Sequence, residues 1–371
     1  MPTQMRYNSP MDFTQFHASR RKFLNTYLKD FISKEERLSD DELSHVALER
    51  LAAFATKGKM LRGVFVMLGY EMFASSNSLE TITDTYTNEN VLHVAAAMEL
   101  SQSALLIHDD IMDNDLTRRG HKTIYAQYMD DAEKHHISEP DQYGKSMGMI
   151  VGDVSLFLIY ELIGNLEIEP SIRSKIMNRY SKEMLRVSLG QFLDYHYGRT
   201  HVERSQAEIM RMYHLKTGCY TFTLPFLLGA YLAGKTDTDL EKLELITANL
   251  GTIFQIKDDE LGLFGNADQT GKPVGSDISE DKKTLYRAAL FDSASDVEKD
   301  QLKKIFGSEL TPENLNYVQK LMDHYGVVAD MKQNVETSTH EALSYLDTLA
   351  CDSQYKVIFA DLIEYNATRG S

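Results

Sequence analysis

The sequence predicts an all-α protein, and three observations carry that reading. Only 7 of 371 residues are proline, and none lies between Met11 and Glu139, so a long stretch lacks the strongest helix breaker. Apolar residues recur at i, i+3, i+4 and i+7 along most of the chain, the period of a helix with one buried face. No region shows the alternation of a strand-rich domain, and hydrophobic residues, 43% of the total, suffice for a sizeable core.

Taken in order, residues 1–12 read as a flexible arm and 13–371 as one domain, because no long linker interrupts them. Phe16, Leu24, Tyr27, Leu28 and Phe31 set a first helix over 13–31. A second starts near Asp41, with Ser39, Asp40 or Asp41 as cap, and continues through Val46, Leu48, Leu51 and Phe54. Ser75 to Asn90 is polar and reads as a connection. Val91 to Asp113 is apolar as far as Ile107 and then acidic, the pattern of a helix buried at one end and open to a charged site at the other. Glu133 to Tyr143, with His135 and His136, reads as a loop. Helical patterns resume at 147–165, 171–197, 205–233 and 240–264. Gly265 to Lys283 has the look of a site loop, and helices follow to about Ala367.

Composition also excludes. A formal charge of −16 argues against nucleic acid as a partner, although a local basic cluster or a bound cation still permits phosphate ligands. Cys219 and Cys351, the only cysteines, make no disulfide framework, so a reducing cytoplasm is expected. Met1 to Phe16 lacks a signal core, and no run of about 18 apolar residues predicts a membrane span.

The chemistry concentrates in a few short motifs. Asp109-Asp110-Ile111-Met112-Asp113 is followed by Leu116-Thr117-Arg118-Arg119-Gly120. On a helix, Asp109 and Asp113 share a face. Mg²⁺ takes one or two such carboxylates and completes its shell with water and phosphate. The two arginines beyond supply planar forks for phosphate oxygens. A second acidic pair, Asp258-Asp259, closes another apolar helix after Phe254-Gln255-Ile256-Lys257. Basic residues recur in Gly58-Lys59-Met60-Leu61-Arg62, where Lys59 and Arg62 at i, i+3 are expected on one helical face, at Lys216-Thr217, and at Lys272 and Lys282 around Asp277. Any one of these alone reads more simply as solvated surface.

Together, in order and spacing, they resemble the trans-isoprenyl diphosphate synthases, the farnesyl, geranylgeranyl and longer polyprenyl synthases. The likeness runs from about Lys57 to Lys283 and includes Gly152-Asp153 and Gly190-Gln191-x-x-Asp194. It implies a bundle of ten or more antiparallel helices around a central cavity, usually a homodimer. It also implies a Mg²⁺-dependent condensation of isopentenyl diphosphate with an allylic diphosphate. On that likeness Asp109, Asp113 and Asp258 ligate Mg²⁺. Arg118, Lys216, Lys272 and Lys282 hold the allylic diphosphate, and Lys59, Arg62, Gln102 and Arg119 hold isopentenyl diphosphate. Lys216, Thr217 and Gln255 line the place where the allylic cation forms.

Departures from the family pattern are Met60 for arginine, Gln102 for the histidine of many bacterial members, and Gly262 where farnesyl synthases carry a third aspartate. Gly262→Asp is therefore expected to tighten metal binding, if residues 258 and 262 share a face. Position 104 lies about 7.5 Å below Asp109 at about 1.5 Å rise per residue. On the face expected to carry Asp109, Ala104 and Leu105, with Ser101 and Ala97 below, leave room for a product longer than fifteen carbons. Alternatives are a farnesyl synthase, a class I terpene cyclase or squalene-synthase-like enzyme, for which Lys59, Arg62 and Arg119 would be idle, and a non-catalytic subunit on the same fold, which should have lost first-motif carboxylates.

Overall fold

The computed structural model describes residues 11–35, 37, 40–74, 88–200, 202–265 and 274–369. The arm expected at 1–12 therefore falls almost wholly outside the described residues. Helices dominate throughout; among the described residues the only paired strands are two of two residues each. The chain groups into two compact units, Met1–Asn178 with Pro225–Thr236, and Arg179–Leu224 with Asp237–Ser371.

In the first unit, α1 (Phe13–Glu35), α2 (Glu42–Thr56) and α3 (Leu61–Glu71) precede α4 (Glu89–Asp113). Asp41 caps α2 by accepting the Ser44 N–H at 2.9 Å, and Asn88 caps α4 by accepting that of Val91 at 3.2 Å. Both polar caps stand where an apolar period begins, so the starts are locally encoded. Val91, Val94, Ala95, Met98, Leu100 and Ile107 are buried along α4. A hairpin, β1 (Thr117–Arg118) and β2 (His121–Lys122), leads into α5 (Ile124–Lys134) and α6 (Pro140–Gly164).

α6 lies close against α4 because its contact points carry little or no side chain. A Cβ on Gly152 would come within 2.6 Å of the His108 ring, and one on Gly148 within 3.0 Å of Ile111 Cδ1. Between them and further along, the Ser155 hydroxyl donates to the Leu100 carbonyl at 2.9 Å. Gly152 of the family motif is thus a close-approach residue. The loop expected at 133–143 shrinks to five residues, because Pro140 opens α6 at N1, where it needs no N–H partner, instead of ending a helix.

α9 (Leu224–Leu232), whose residues from Pro225 belong to this unit, crosses α3 at Gly69 and Gly229. A Cβ on Gly69 would meet Phe226 Cα at 2.9 Å, and the rings of Phe65 and Phe226 stack at 5.1 Å. By length and composition alone α4 and α6, 25 residues each, would be apolar enough to cross a membrane, as buried core helices also are. The most apolar stretch of α4 is 72% buried within the protein and that of α6 44%.

The second unit takes the latter part of α7 (Pro170–Gly198), then α8 (Gln206–Tyr213), a ten-residue π-helix over His214–Thr223, and α10 (Asp237–Phe264). The stretch 205–233, expected as one helix, is therefore three. Ser205 and Glu208 form a reciprocal capping box at the start of α8. The short α11 (Ser276–Ser279) follows, then five helices, Leu285–Ser293, Asp296–Ile305, Pro312–His324, Val327–Thr348 and Ser353–Thr368. Ile253, Ile256, Leu285, Tyr286, Leu302 and Met331 make the core of this unit.

Candidate functional site

At the end of α4 the three carboxylates diverge. Asp109 is half-buried and Asp113 exposed on one face, while Asp110 turns inward and is 1% exposed. Asp110 Oδ1 accepts from Arg118 Nε at 2.5 Å, and its Oδ2 has no donor. Burial pushes the Asp110 carboxyl up to about 7, against the pull of Arg118. Asp110 therefore serves Arg118, whose Nη2 also lies 3.6 Å from Asp115. Asn114, left-handed at φ +57°, stops the helix there.

The turn between β1 and β2 separates the two arginines. Arg119 at φ +53° and Gly120 at φ +74° are both left-handed, the signature of a two-residue type I′ hairpin, with Arg118 opposite His121. A non-glycine residue held in this conformation costs about 1–3 kcal/mol and marks a position kept for its side chain. A cavity of about 580 Å³ in this unit is lined by Lys29, Arg50, Lys57, Arg118, Arg119 and Lys122, against one acid, Glu49.

Glu99 is the residue that sequence reasoning passed over. It is 5% exposed and accepts the Gly63 N–H at 2.7 Å. Burial raises its carboxyl pKa, offset by that N–H and by the charges of Arg62 and Arg119. Burial in turn lowers the pKa of Arg119, helped by Arg118. Glu99 so holds the start of α3, on which Arg62 sits; a single acid inside the apolar stretch 91–107 was the available signal.

Two geometric expectations need correction. Lys59 and Arg62 do not share a helical face. Met60 is left-handed at φ +55° and α3 begins only at Leu61, so exposed Lys59 precedes the helix, its carbonyl 2.7 Å from His17 Nε2. Ala104 does not lie on the face of Asp109, because five residues at about 100° each turn it about 140° away. Leu105 and Gln102, both half-buried, share that face; Ala104 is 1% exposed, between the turns of Leu100 and His108 that α6 covers. Ser101 is fully buried and its hydroxyl donates to the Ala97 carbonyl at 2.7 Å.

In the second unit the π-helix carries Lys216 and Thr217. The widened turn makes them half-buried while Gly218 and Cys219 beside them are buried. π-helical segments recur at functional sites. Gly190 of α7 permits the approach: a Cβ there would lie 2.8 Å from Lys216 Cα. One turn on, Asp194 accepts from Lys216 Nζ. Gly190-x-x-x-Asp194 is thus a seat for Lys216, its glycine making room for the backbone and its acid receiving the ammonium. On the other side Gly251 of α10 meets Gly218, with 2.7 Å from a Cβ at 251 to Gly218 Cα.

The end of α10 splits its acids as α4 does. Asp259 is fully buried, accepts from the Tyr213 hydroxyl and from Gln255 Nε2 at 3.2 Å, and is pushed by burial up to about 7. It fixes Gln255. Asp258 is half-exposed, and its Oδ1 accepts from Arg369 Nη2 at 3.0 Å; the Arg369 guanidinium stands 4.2 Å over the Phe254 ring. Glu260 is bound to Lys257 at 2.6 Å, off the face of Asp258. Lys282 Nζ lies 3.5 Å from Asp277 Oδ1. Burial works against the Lys282 charge, but Asp277, Asp259, Asp258 and Asp194 together hold its pKa above the ordinary lysine range. Lys272 lies outside the described residues.

Among the described residues no group of three or more His, Cys, Asp or Glu is arranged to hold an ion by itself. The available donors are hard carboxylate oxygens in ones and twos. That set fits Mg²⁺, which uses few protein ligands and finishes its shell with water and phosphate.

The polyprenyl synthetase family model matches residues 46–323. A short chain isoprenyl diphosphate synthase of Methanocaldococcus jannaschii is 31% identical over 221 residues, covering 60% of this chain and 62% of that protein, just under two thirds of its length. A geranylfarnesyl diphosphate synthase of Aeropyrum pernix is 25% identical over 354 residues, 93% of this chain and 99% of that one. The crystal structure of a geranylgeranyl pyrophosphate synthase from Corynebacterium glutamicum, complexed with isoprenyl diphosphate and magnesium, superposes with a TM-score of 0.85 at 25% identity, covering 97% of this chain and 100% of that one. With a family match over most of its length and the all-α fold in common, the chain belongs to the polyprenyl synthetase family.

Proposed function

We propose that this protein is a Mg²⁺-dependent trans-prenyl diphosphate synthase that joins isopentenyl diphosphate to an allylic diphosphate and makes geranylgeranyl or a longer diphosphate. The observation that carries the reading is the division of labour at the end of α4. Asp109 and Asp113 face outward as ligands, while Asp110 and the I′ turn aim two arginines at a basic cavity. When bound, Mg²⁺ neutralises the charge growing on the departing diphosphate and fixes its direction of departure.

The protein's own groups do the rest. Arg118, Lys216, Lys272 and Lys282 receive the diphosphate oxygens, Lys216 after release from Asp194. Gln255, locked by Asp259, and Thr217 border the allylic carbon. Lys59, Arg62, Gln102 and Arg119 hold isopentenyl diphosphate, whose double bond attacks; the released diphosphate takes the proton. No covalent enzyme intermediate is required.

An exposed apolar stripe on α6, Met149, Ile150, Phe157 and Tyr160 at helical spacing, supports a homodimer. The free thiols Cys219 and Cys351 support a cytoplasmic setting.

Arg118→Lys is expected to raise mainly the KM for the allylic diphosphate, and Arg119→Lys mainly that for isopentenyl diphosphate, because a bidentate fork becomes a point charge. Equal effects of both variants on both constants would contradict the division. Product length tests the ruler on α4. Leu105→Phe, on the face of Asp109, should shift product towards fifteen carbons without loss of stability. Ala104→Phe should do so only with a stability loss of about 1–3 kcal/mol, since it overpacks a helix contact. Unchanged products from both variants would place the tunnel floor on another helix.

A further inference from the structure

We infer that Asp277 supplies the carboxylate that α10 lacks at position 262, completing with Asp258 the second metal-binding pair. This rests on the metal reading proposed above. On a helix, position 262 stands one turn beyond Asp258 on the same face. Gly262 offers nothing there, but the place is filled. A Cβ on Gly262 would lie 2.7 Å from Asp277 Cγ and 3.0 Å from its Oδ1. The carboxyl of Asp277 occupies the space that a side chain at 262 would take.

Its position is fixed by the helix it complements. The Gly275 N–H donates to the Gly262 carbonyl at 3.1 Å, and Gly275 at φ +78° turns the chain into α11, which carries Asp277. The Lys282 N–H closes the same turn on the Asp277 carbonyl at 2.9 Å, which brings the Lys282 ammonium beside Oδ1. Asp277 is 6% exposed, yet its Oδ2 has no donor. A buried carboxylate oxygen left bare is costly unless a cation or donor completes it. A divalent ion bound between Asp258 and Asp277 would complete that oxygen.

The arrangement reverses the expectation for Gly262→Asp. The new side chain would strike Asp277 and bring a third acid against the pair, so metal binding should weaken.

The test is Mn²⁺ binding followed by electron paramagnetic resonance on the full chain with saturating inorganic diphosphate, with circular dichroism as the folding control. Asp277→Asn, which keeps the shape, is expected to weaken the second class of Mn²⁺ site about tenfold, the range for losing a supporting ligand. Gly262→Asp should weaken it likewise. Gly262→Asp combined with Asp277→Ala, which moves the carboxylate from the loop back to the helix, should recover binding to within about threefold of the parent, a small fraction of that supporting-ligand effect. Asp258→Ala is the separate control. If it leaves Mn²⁺ binding unchanged, the metal reading of this end of α10 fails. If it abolishes the site while Asp277→Asn binds as the parent, or if the double variant is no better than either single one, the inference about Asp277 alone is overturned.

Discussion

Asp113→Ala is expected to lower turnover about a thousandfold, a loss of about 4 kcal/mol of transition-state stabilisation, with helicity unchanged. Asp113 is exposed at the last position of α4, so removing its carboxylate leaves no cavity and costs the fold little. Asp109→Ala should behave the same way. Asp110→Asn is the informative contrast. Its carboxyl is buried and spent on Arg118, so the variant should act through a loosened arginine, raising the KM for the allylic diphosphate. Near-normal turnover of Asp109→Ala or Asp113→Ala at saturating Mg²⁺ would remove the assignment of ligands to this helix face. Circular dichroism beside steady-state kinetics separates that result from unfolding.

Gly190→Val should produce the second large effect, on both stability and rate. The added branches would press on the backbone of Lys216, which has no rotamer by which to escape. Overpacking costs about 1–3 kcal/mol. With an unfolding entropy of about 2.1 cal/mol/K per residue, that corresponds to a Tm lower by roughly 1–4 °C. Turnover should drop by about a hundredfold or more, since a displacement near 1 Å costs that much in positioning. Thermal melts and single-turnover rates check the two parts. A stable variant of normal rate would mean that the π-helix does not need this seat.

What could be read from the sequence follows from how local its cause is. Asp41 and Asn88, polar residues just ahead of apolar periods, start their helices as capping chemistry dictates. The first aspartate cluster closes α4 where its apolar run ends, whereas Asp258-Asp259 lies inside α10, which continues to Phe264. The π-helix at 214–223 was not legible, because its extra residue per turn is demanded by Gly190 and Gly251 packing on either side, not by its own composition. Nor was the I′ turn: Arg119 is a poor candidate for a left-handed conformation, and only the short hairpin imposes it. The buried pair of Arg20 with Glu71, at 2.7 and 2.8 Å, likewise joins residues 51 positions apart that carry no local mark.

Within the site, the motifs gave the residue types but not their division of labour. Adjacent aspartates look alike in a sequence. On a helix they point about 100° apart, so Asp109 and Asp258 reach the open face while Asp110 and Asp259 turn inward to hold Arg118 and Gln255. The error at Ala104 has the same origin, since a count of five residues measures depth along the axis and says nothing of direction.

The most direct test of the whole reading is product analysis. The purified protein is incubated with Mg²⁺, isopentenyl diphosphate and, in turn, dimethylallyl, geranyl and farnesyl diphosphates, and the products are dephosphorylated and sized. The predicted result is condensation that requires both substrates and the metal, with chains of twenty or more carbons. Release of diphosphate from the allylic substrate without isopentenyl diphosphate, or no condensation with any starter, would contradict it.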